Sequence, residues 1–519
     1  MALSLVAFLL LAPLVLLLLL PAKKPAPPQR GGRRLPPSPP GLPLLGHLHL
    51  LGSLPHRALR AVAAAHGPVV LLRLGRVPTV VVSSAAAAEE VMRTRDLAFA
   101  SRPRSAVAER LFYGRDVAFA PYGEYWRQAR RVCVLHLLSA RRVLSFRRVR
   151  EQEAAALVAR VRAGAGAAVD LSELLIAYAN TVVSRAAFGD ECARGLYGDN
   201  DGDGGDRGRQ LRKVFSDFQQ LLVTEPVGEL LPWLGWVDTV RGLEGKIKRT
   251  FEALDGVLEK VIDDHRRRRQ TETGDGGDAD HRDFVDVLLD VSKDDNEHGI
   301  QLETNEIKAI ILDMFAGGTD TTSTVMEWAM AELVTHPRAM RKLQDEIRAA
   351  VGPTAGAVTE DRLDGLPYLK AVVKETLRLH VPIPLLVPRE PLADAEILGY
   401  HVPARTRVVI NAWAIARDPA TWEDAEEFVP ERFLGGAAAV DYRGKDFELV
   451  PFGAGRRGCP GVGFAEPTIE VALASLLYHF DWEAAGGKGT APSLDMSELN
   501  GLSVHIKSGL PLVAKPWIR

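Results

Sequence analysis

Cysteine is scarce in this chain: Cys133, Cys192 and Cys459 are the only three in 519 residues. An odd number this small excludes a disulfide framework. Acceptors for N-glycosylation are also missing. None of the six asparagines, Asn180, Asn200, Asn296, Asn305, Asn411 and Asn500, begins an Asn-x-Ser/Thr triplet. Both absences suit a catalytic body that faces the cytosol. Neither charge sign dominates, and a net charge of -2 gives no argument for nucleic acid as a partner. No internal repeat is visible. Length alone suggests about three domains, yet no linker divides the body, and 47% apolar residues are ample for one large core.

Charge is absent from one stretch, Ala2 to Leu20, which is almost wholly apolar. It is nearly long enough to span a bilayer as a helix. Lys23, Lys24, Arg30, Arg33 and Arg34 follow it. The positive-inside rule places that basic side in the cytosol. A cleaved signal would carry its charges before the apolar run and small residues after it. Here the charges come after, and Pro21 and Lys23 disfavour cleavage, so residues 1–22 read as an uncleaved anchor. Residues 23–46 form a basic, proline-rich hinge in which LPPSPPGLPLLG (Leu35 to Gly46) acts as a stiff spacer. Residues 47–519 form the body.

Val69 to Val82, VVLLRLGRVPTVVV, reads as two short strands around a Gly-Arg-Val-Pro turn. Most of the rest looks helical. Two glycine- and aspartate-rich tracts, Gly198 to Arg209 and Gln270 to Arg282, have no means of burying a core and are expected to be mobile surface loops. The first lacks the closing glutamate that a calcium loop needs.

The chemistry is concentrated in Phe452 to Gly461, FGAGRRGCPG. Cys459 lies in a glycine-rich loop just ahead of an apolar helical run. A thiolate there can be the axial ligand of a haem iron, where it favours O–O cleavage. Gly455, Gly458 and Gly461 are expected to adopt conformations closed to other residues. The wrap would aim N–H groups at the sulfur, and the following helix would add its positive end, both lowering the thiol's pKa. Arg457 suits a haem propionate, because its planar fork pairs with carboxylates.

A second signal is AGGTDTT, Ala316 to Thr322, inside a helical pattern running from Ile307 to Val334. Adjacent glycines in a helix cost about 1 kcal/mol each relative to alanine. Without side chains at Gly317 and Gly318, a flat cofactor can lie against the backbone. Thr321 can bond back to the preceding turn and open a groove for O2. Asp320 and Thr321 supply an acid and an alcohol for proton delivery. Glu375 and Arg378, in KETLRLH, share a helix face. So do Trp126 and Arg130, in WRQARR. Pro467 sits inside the predicted helix after the cysteine loop, where proline tends to kink the chain.

Phe452, Gly455, Arg457, Cys459 and Gly461 fit Phe-x-x-Gly-x-Arg-x-Cys-x-Gly at every fixed position, and Gly317 to Thr322 fits Gly-Gly-x-Asp-Thr-Thr. The chain therefore resembles the cytochrome P450 family over its whole length. PYGEYWRQAR, AWAIARDP and Pro430-Glu431-Arg432-Phe433 give it the flavour of plant endoplasmic-reticulum A-type members. The resemblance implies a mainly α fold with a smaller β region around a buried haem b, preceded by the membrane anchor. It implies Cys459 as metal ligand, and Trp126, Arg130 and Arg389 as propionate contacts. It also completes a structural Glu375–Arg378–Arg432 network. The implied partners are O2, a small hydrophobic substrate, the endoplasmic reticulum membrane and a reductase supplying NADPH electrons. Arg127 and Arg131 could dock that donor. By family position the pocket draws on Val107 to Phe119, Ile311 to Thr321, Val381 to Val387 and Gly501 to Ser503. Those mostly apolar segments imply a small indole-derived, terpenoid or phenylpropanoid metabolite. The alternatives are a haem-thiolate isomerase or dehydratase that needs no O2, which the Asp320–Thr321 pair opposes, and a non-catalytic haem-binding membrane protein.

Overall fold

The computed structural model describes residues 33–197, 203–271, 282–293, 301–353, 356–485 and 494–517. The anchor read in residues 1–22 lies outside them. Among the described residues no helix is long and apolar enough to cross a membrane.

Helices dominate. In chain order the longer ones are α1 (Pro55–His66), α2 (Glu124–Val132), α3 (Arg147–Ala163), α4 (Leu171–Tyr197), α5 (Asp203–Leu222) and α6 (Leu243–Thr271). They continue with α7 (Phe284–Lys293), α8 (Thr304–Gly318), α9 (Asp320–Thr335), α10 (Pro337–Val351), α11 (Pro367–Leu379) and α12 (Val462–His479). The core sits where α3, α4, α9 and α12 pack together. Almost every residue of α9 from Thr322 to Leu333 is buried. A helix buried on every side belongs at the centre of a large domain, and its buried polar residues Thr324, Glu327 and Glu332 are hydrogen-bonded there. Local signals start these helices: a Glu303–Glu306 capping box opens α8, and Pro337 and Pro367 open α10 and α11.

The β region is small. Strand β1 (Val69–Leu74) pairs antiparallel with β2 (Val77–Val82), Val69 opposite Val82. The turn is only Gly75 and Arg76, tighter than the sequence reading, because Pro78 already faces Arg73 within the ladder. Short β3 (Ala168–Asp170), β4 (Ala395–Ile397), β5 (Tyr400–Val402) and β6 (Arg407–Ile410) follow, and β6 joins β2 in parallel. Beyond α12 come β7 (Phe480–Ala484), β8 (Glu498–Leu499), β9 (His505–Ile506) and β10 (Pro511–Pro516). Strand β10 lies between β3 and β7, and β8 pairs with β9.

The described part of the proline-rich segment is fastened to the body. Leu71 N–H donates to Pro37 O at 2.9 Å, His401 N–H to Arg34 O at 2.7 Å, and Gly46 pairs with Leu74.

One loop expectation is corrected. Residues 203–209 are not loop but the first turns of α5. Farther along, that helix buries Phe215, Phe218 and Leu221, and the packing carries its polar start into helical form. Gln270 and Thr271 likewise end α6. The rest of the two tracts is outside the described residues, except Arg282, which precedes α7. The long helical pattern is in fact two helices, divided at Thr319.

Candidate active site

Cys459 stands between a short 3-10 turn, Gly455–Arg457, and the start of α12. Its N–H donates to Phe452 O at 2.8 Å, and Gly461 N–H donates to its Sγ at 3.4 Å. The sulfur is accessible from an internal cavity but enclosed by protein. Burial pushes the thiol's pKa up, and the Gly461 amide and the Arg130 charge only moderate that rise. This corrects the expectation of a lowered thiol pKa: the Gly461 amide pulls it down, but desolvation outweighs that pull.

The special backbone falls only in part on the glycines expected. Gly453 and Gly455 take left-handed φ angles of 64° and 67°. A Cβ on Gly455 would lie 2.1 Å from Met92 O. Gly458 (φ -59°) and Gly461 (φ -90°) have ordinary backbones. Pro467 is accommodated as the sixth residue of α12, which runs on to His479.

Four arginines border the same cavity: Arg102, Arg130, Arg389 and Arg457. Arg130 Nη2 donates to Gly458 O at 2.5 Å, tying α2 to the cysteine loop. Arg389 Nη2 donates to Ala454 O at 2.7 Å, while its buried Nη1 has no hydrogen-bond partner and lies 3.9 Å from Asp96. Arg457 bonds the carbonyls of Ala100, Val117 and Ala120 at 2.6, 3.1 and 2.7 Å. Its guanidinium lies 4.0 Å over the ring of Trp126, whose Nε1–H donates to Val117 O at 2.9 Å. The donors expected to face a carboxylate on Arg457 and Trp126 are therefore engaged by backbone, as buried donors must be. Burial, reinforced by their neighbouring cations, pushes the pKa of Arg457 down to about 9. Burial takes Arg389 down to about 10 and Arg102 well below the usual range, with Arg457 and Arg389 adding to the fall in Arg102. Such a crowd of cations, one with an unpaired buried N–H, suits a dianion such as the two haem propionates.

Across the cavity lies the break between α8 and α9. Thr321 Oγ1 donates to Gly317 O at 2.6 Å, the back-bond that bends a helix. The two glycines differ in function. A Cβ on Gly317 would meet nothing within 4 Å, so this is the position open to a flat group. A Cβ on Gly318 would lie 2.8 Å from Val183 Cγ2, so Gly318 lets α4 approach. Thr321 borders the cavity. Asp320 does not aim into it: its Oδ1 is 3.0 Å from His505 Nε2, and its Oδ2 accepts from Ser503 N–H at 3.0 Å. The remaining walls are mainly apolar, with Phe119, Leu222, Met314, Ile383, Val387 and Leu502 among them.

The cytochrome P450 family model matches residues 36–512. The chain belongs to the cytochrome P450 family. Its relatives include plant proteins. It is 49% identical to cytochrome P450 71A1 of Persea americana, over 91% of this chain and 91% of the relative. It is 48% identical to cytochrome P450 736A117 of Prunus mume, over 93% and 90%. It is 43% identical to the norfluorocurarine oxidase of a Strychnos species, over 93% and 92%. A zebrafish cytochrome P450 structure superposes with a TM-score of 0.72 over 90% of this chain and all of that one, at 24% identity. The P450 fold, mainly helical with a smaller β region, and an oxygenase of the haem-thiolate type are thereby established.

Within this P450, Glu375, Arg378 and Arg432 do meet. Arg378 donates to both oxygens of Glu375 at 2.7 and 2.8 Å, and Arg432 Nε adds a third bond at 3.0 Å. Arg378 also bonds the carbonyls of Ala416, Ala425 and Glu427, and thus pins the segment leading to the cysteine loop.

Sequence reasoning missed Arg102, Asp313 and His505. Arg102, in SRPRS, bonds the carbonyls of Ala118, Val387 and Pro388 from across the chain. Asp313 accepts from Val117 N–H at 2.6 Å, and its buried Oδ1 has no partner. Burial and nearby Asp116 push its pKa well above the carboxylate range. No local motif marks any of these positions; only the folded chain gives them partners.

Proposed function

We propose that this P450 inserts one oxygen atom of O2 into a small hydrophobic plant metabolite, using NADPH electrons delivered by a reductase. The observation that carries the reading is that Cys459 Sγ, Gly317 and Thr321 border one cavity together with four arginines. Cys459 is the proposed metal ligand. Gly317, with Gly318 behind it, and Phe452 and Gly461 beside the sulfur frame the space for haem b. Arg130 and Arg389 would hold the propionates, while Arg457, seated on Trp126, would contribute charge at that edge. When bound, the haem supplies the oxygen activation. Thr321 hands a proton into the cavity, and Asp320 is the acid behind it.

The apolar walls fit the small indole-derived, terpenoid or phenylpropanoid class, with indolic compounds favoured. Arg127 and Arg131 are exposed on α2 and are proposed to dock the acidic reductase. Reversing both charges is expected to slow reduction and leave ligand binding intact. Residues 1–22 are proposed to anchor the protein in the endoplasmic reticulum membrane, with the hinge at 23–46 and the body, 47–519, in the cytosol.

The test is an optical spin-state titration of the haem-loaded protein against indolic, terpenoid and phenylpropanoid panels. A saturable low-to-high-spin shift with one class, followed by 18O uptake from O2 into that compound only with NADPH and reductase, supports the reading. Product formed without O2 would contradict it.

A further inference from the structure

The acid on α9 has a partner from a distant part of the chain. His505, on β9, lies across one face of α9. Its Nε2 is 3.0 Å from Asp320 Oδ1 and its Nδ1 is 3.1 Å from Glu327 Oε2. The hydroxyl of Thr324 lies 3.1 Å from Nε2. Residues 320, 324 and 327 are spaced i, i+4 and i+7, so a single ring reaches all three. The backbone of the same segment reinforces the contact. Ser503 N–H bonds Asp320, Ile506 N–H bonds Glu327 at 3.2 Å, and Val504 O accepts from Trp328 Nε1 at 2.7 Å. Ser172 Oγ donates to the other oxygen of Glu327.

A ring with a carboxylate on each nitrogen can satisfy both only as an imidazolium, since a neutral imidazole has one donor. Burial alone would push the His505 pKa down, but the bonds to Asp320 and Glu327 outweigh it and raise it to about 10. Asp320 responds in the opposite direction. Burial would raise its carboxyl, and the bonds from His505 and Ser503 hold it below the usual range. The charged groups facing His505 are Asp320 and Glu327. The hydroxyl of Thr324, and that of Ser172 through Glu327, complete the cluster.

We propose that His505 is a positioning residue for proton delivery: its imidazolium holds the Asp320 carboxylate charged and turned out of the cavity, and Asp320 takes up a proton from solvent only when that contact opens. The step is balanced: an O–H bond of hydronium at the solvent-reached edge, where the His505 side chain is 19% exposed, breaks as the Oδ1–H bond of Asp320 forms, water is released, and the ring keeps its own proton. Once protonated, Asp320 loses its attraction to the ring and can turn toward Thr321, the next residue. Leu502, which borders the cavity, lies one residue before Ser503, so a ligand pressing on that segment would act on the same latch.

This inference rests on the oxygenase reading above, and two readouts separate the two claims. The first is carbon-13 NMR of histidine-labelled full-length protein in its haem-loaded, CO-bound reduced form. His505→Gln assigns the signal among thirteen histidines. The expected result is a ring that stays protonated from pH 6 to beyond pH 8, with Asp320→Asn bringing its midpoint down by about 1 unit or more. A wild-type ring titrating near the ordinary 6.5 would overturn the proposal. The second is NADPH-driven O2 consumption with reductase across pH. His505→Gln should slow it about tenfold and change its pH profile. His505→Lys, which restores a cation, should regain most of the loss. An unchanged rate and profile in His505→Gln would also overturn the proposal. If the haem-loaded wild type consumes no O2, the oxygenase reading fails, and the NMR titration still decides the placement of His505.

Discussion

Arg378 and Glu375 face each other with both side chains fully buried, joined by two hydrogen bonds of 2.7 and 2.8 Å. Breaking a buried pair leaves one charge without compensation, at a cost of about 3–5 kcal/mol. Glu375→Ala is therefore expected to yield protein that fails to retain haem or melts far below the wild type. Arg378→Lys should fare little better, since a lysine cannot form the fork. Thermal unfolding of haem-loaded protein checks both. Melting within a degree of the wild type would contradict the structural role.

The cysteine loop offers a paired test in backbone conformation. Gly455→Ala puts a Cβ at φ 67° and 2.1 Å from Met92 O. The left-handed conformation alone costs about 1–2 kcal/mol, and the clash adds to it. Gly461→Ala keeps φ -90°, and its Cβ meets only Cys459 Sγ at 3.8 Å. Haem content and melting temperature should fall clearly in the first variant and little in the second.

Arg389 tests the cationic edge. Arg389→Gln removes a guanidinium whose Nη1 has no hydrogen-bond partner. Loss of one charge-assisted contact is worth about 1.5–3 kcal/mol. The rate of haem transfer to an excess of a haem-scavenging protein should rise about tenfold or more.

Glu498 predicts a pH dependence. Its Oε2 accepts from Arg57 Nε at 2.7 Å and sits 3.0 Å from His56 Nε2, fastening β8 to α1. Burial would raise its carboxyl, but these two bonds outweigh it and hold the pKa at about 2. A depressed carboxylate stabilises the fold above its unfolded pKa and loses that contribution as pH falls through the folded value. The melting gap between wild type and Glu498→Gln should be full at pH 6–7, on the order of 1–2 kcal/mol after allowance for partial exposure. It should close between about pH 4.5 and 2.

The site was legible where function depends on a short, rigid spacing. Cys459 and its glycines, or Gly317 and Thr321, announce themselves within ten residues. Glu375 and Arg378 were visible as a pair, but their burial was not, because one helical turn does not show what covers it. Asp320 is legible as an acid, but its orientation is not, because its partner His505 lies 185 residues away. Arg102 and Asp313 bond backbone from other segments, and such partners leave no mark in their own neighbourhood. The start of α5 has the glycines and aspartates of a loop, and the apolar stripe that makes it helical begins farther on. In each miss a long-range contact overrode or completed a local preference.

Cys459 makes this chain a haem-thiolate protein if its sulfur is the iron ligand. The most direct measurement is the CO-difference spectrum of the reduced, haem-loaded protein beside that of Cys459→Ser. A thiolate-type Soret band is expected in the wild type, and its loss in the variant. A wild-type spectrum without that band, or a Cys459→Ser variant that keeps it, would show that Cys459 is not the iron ligand.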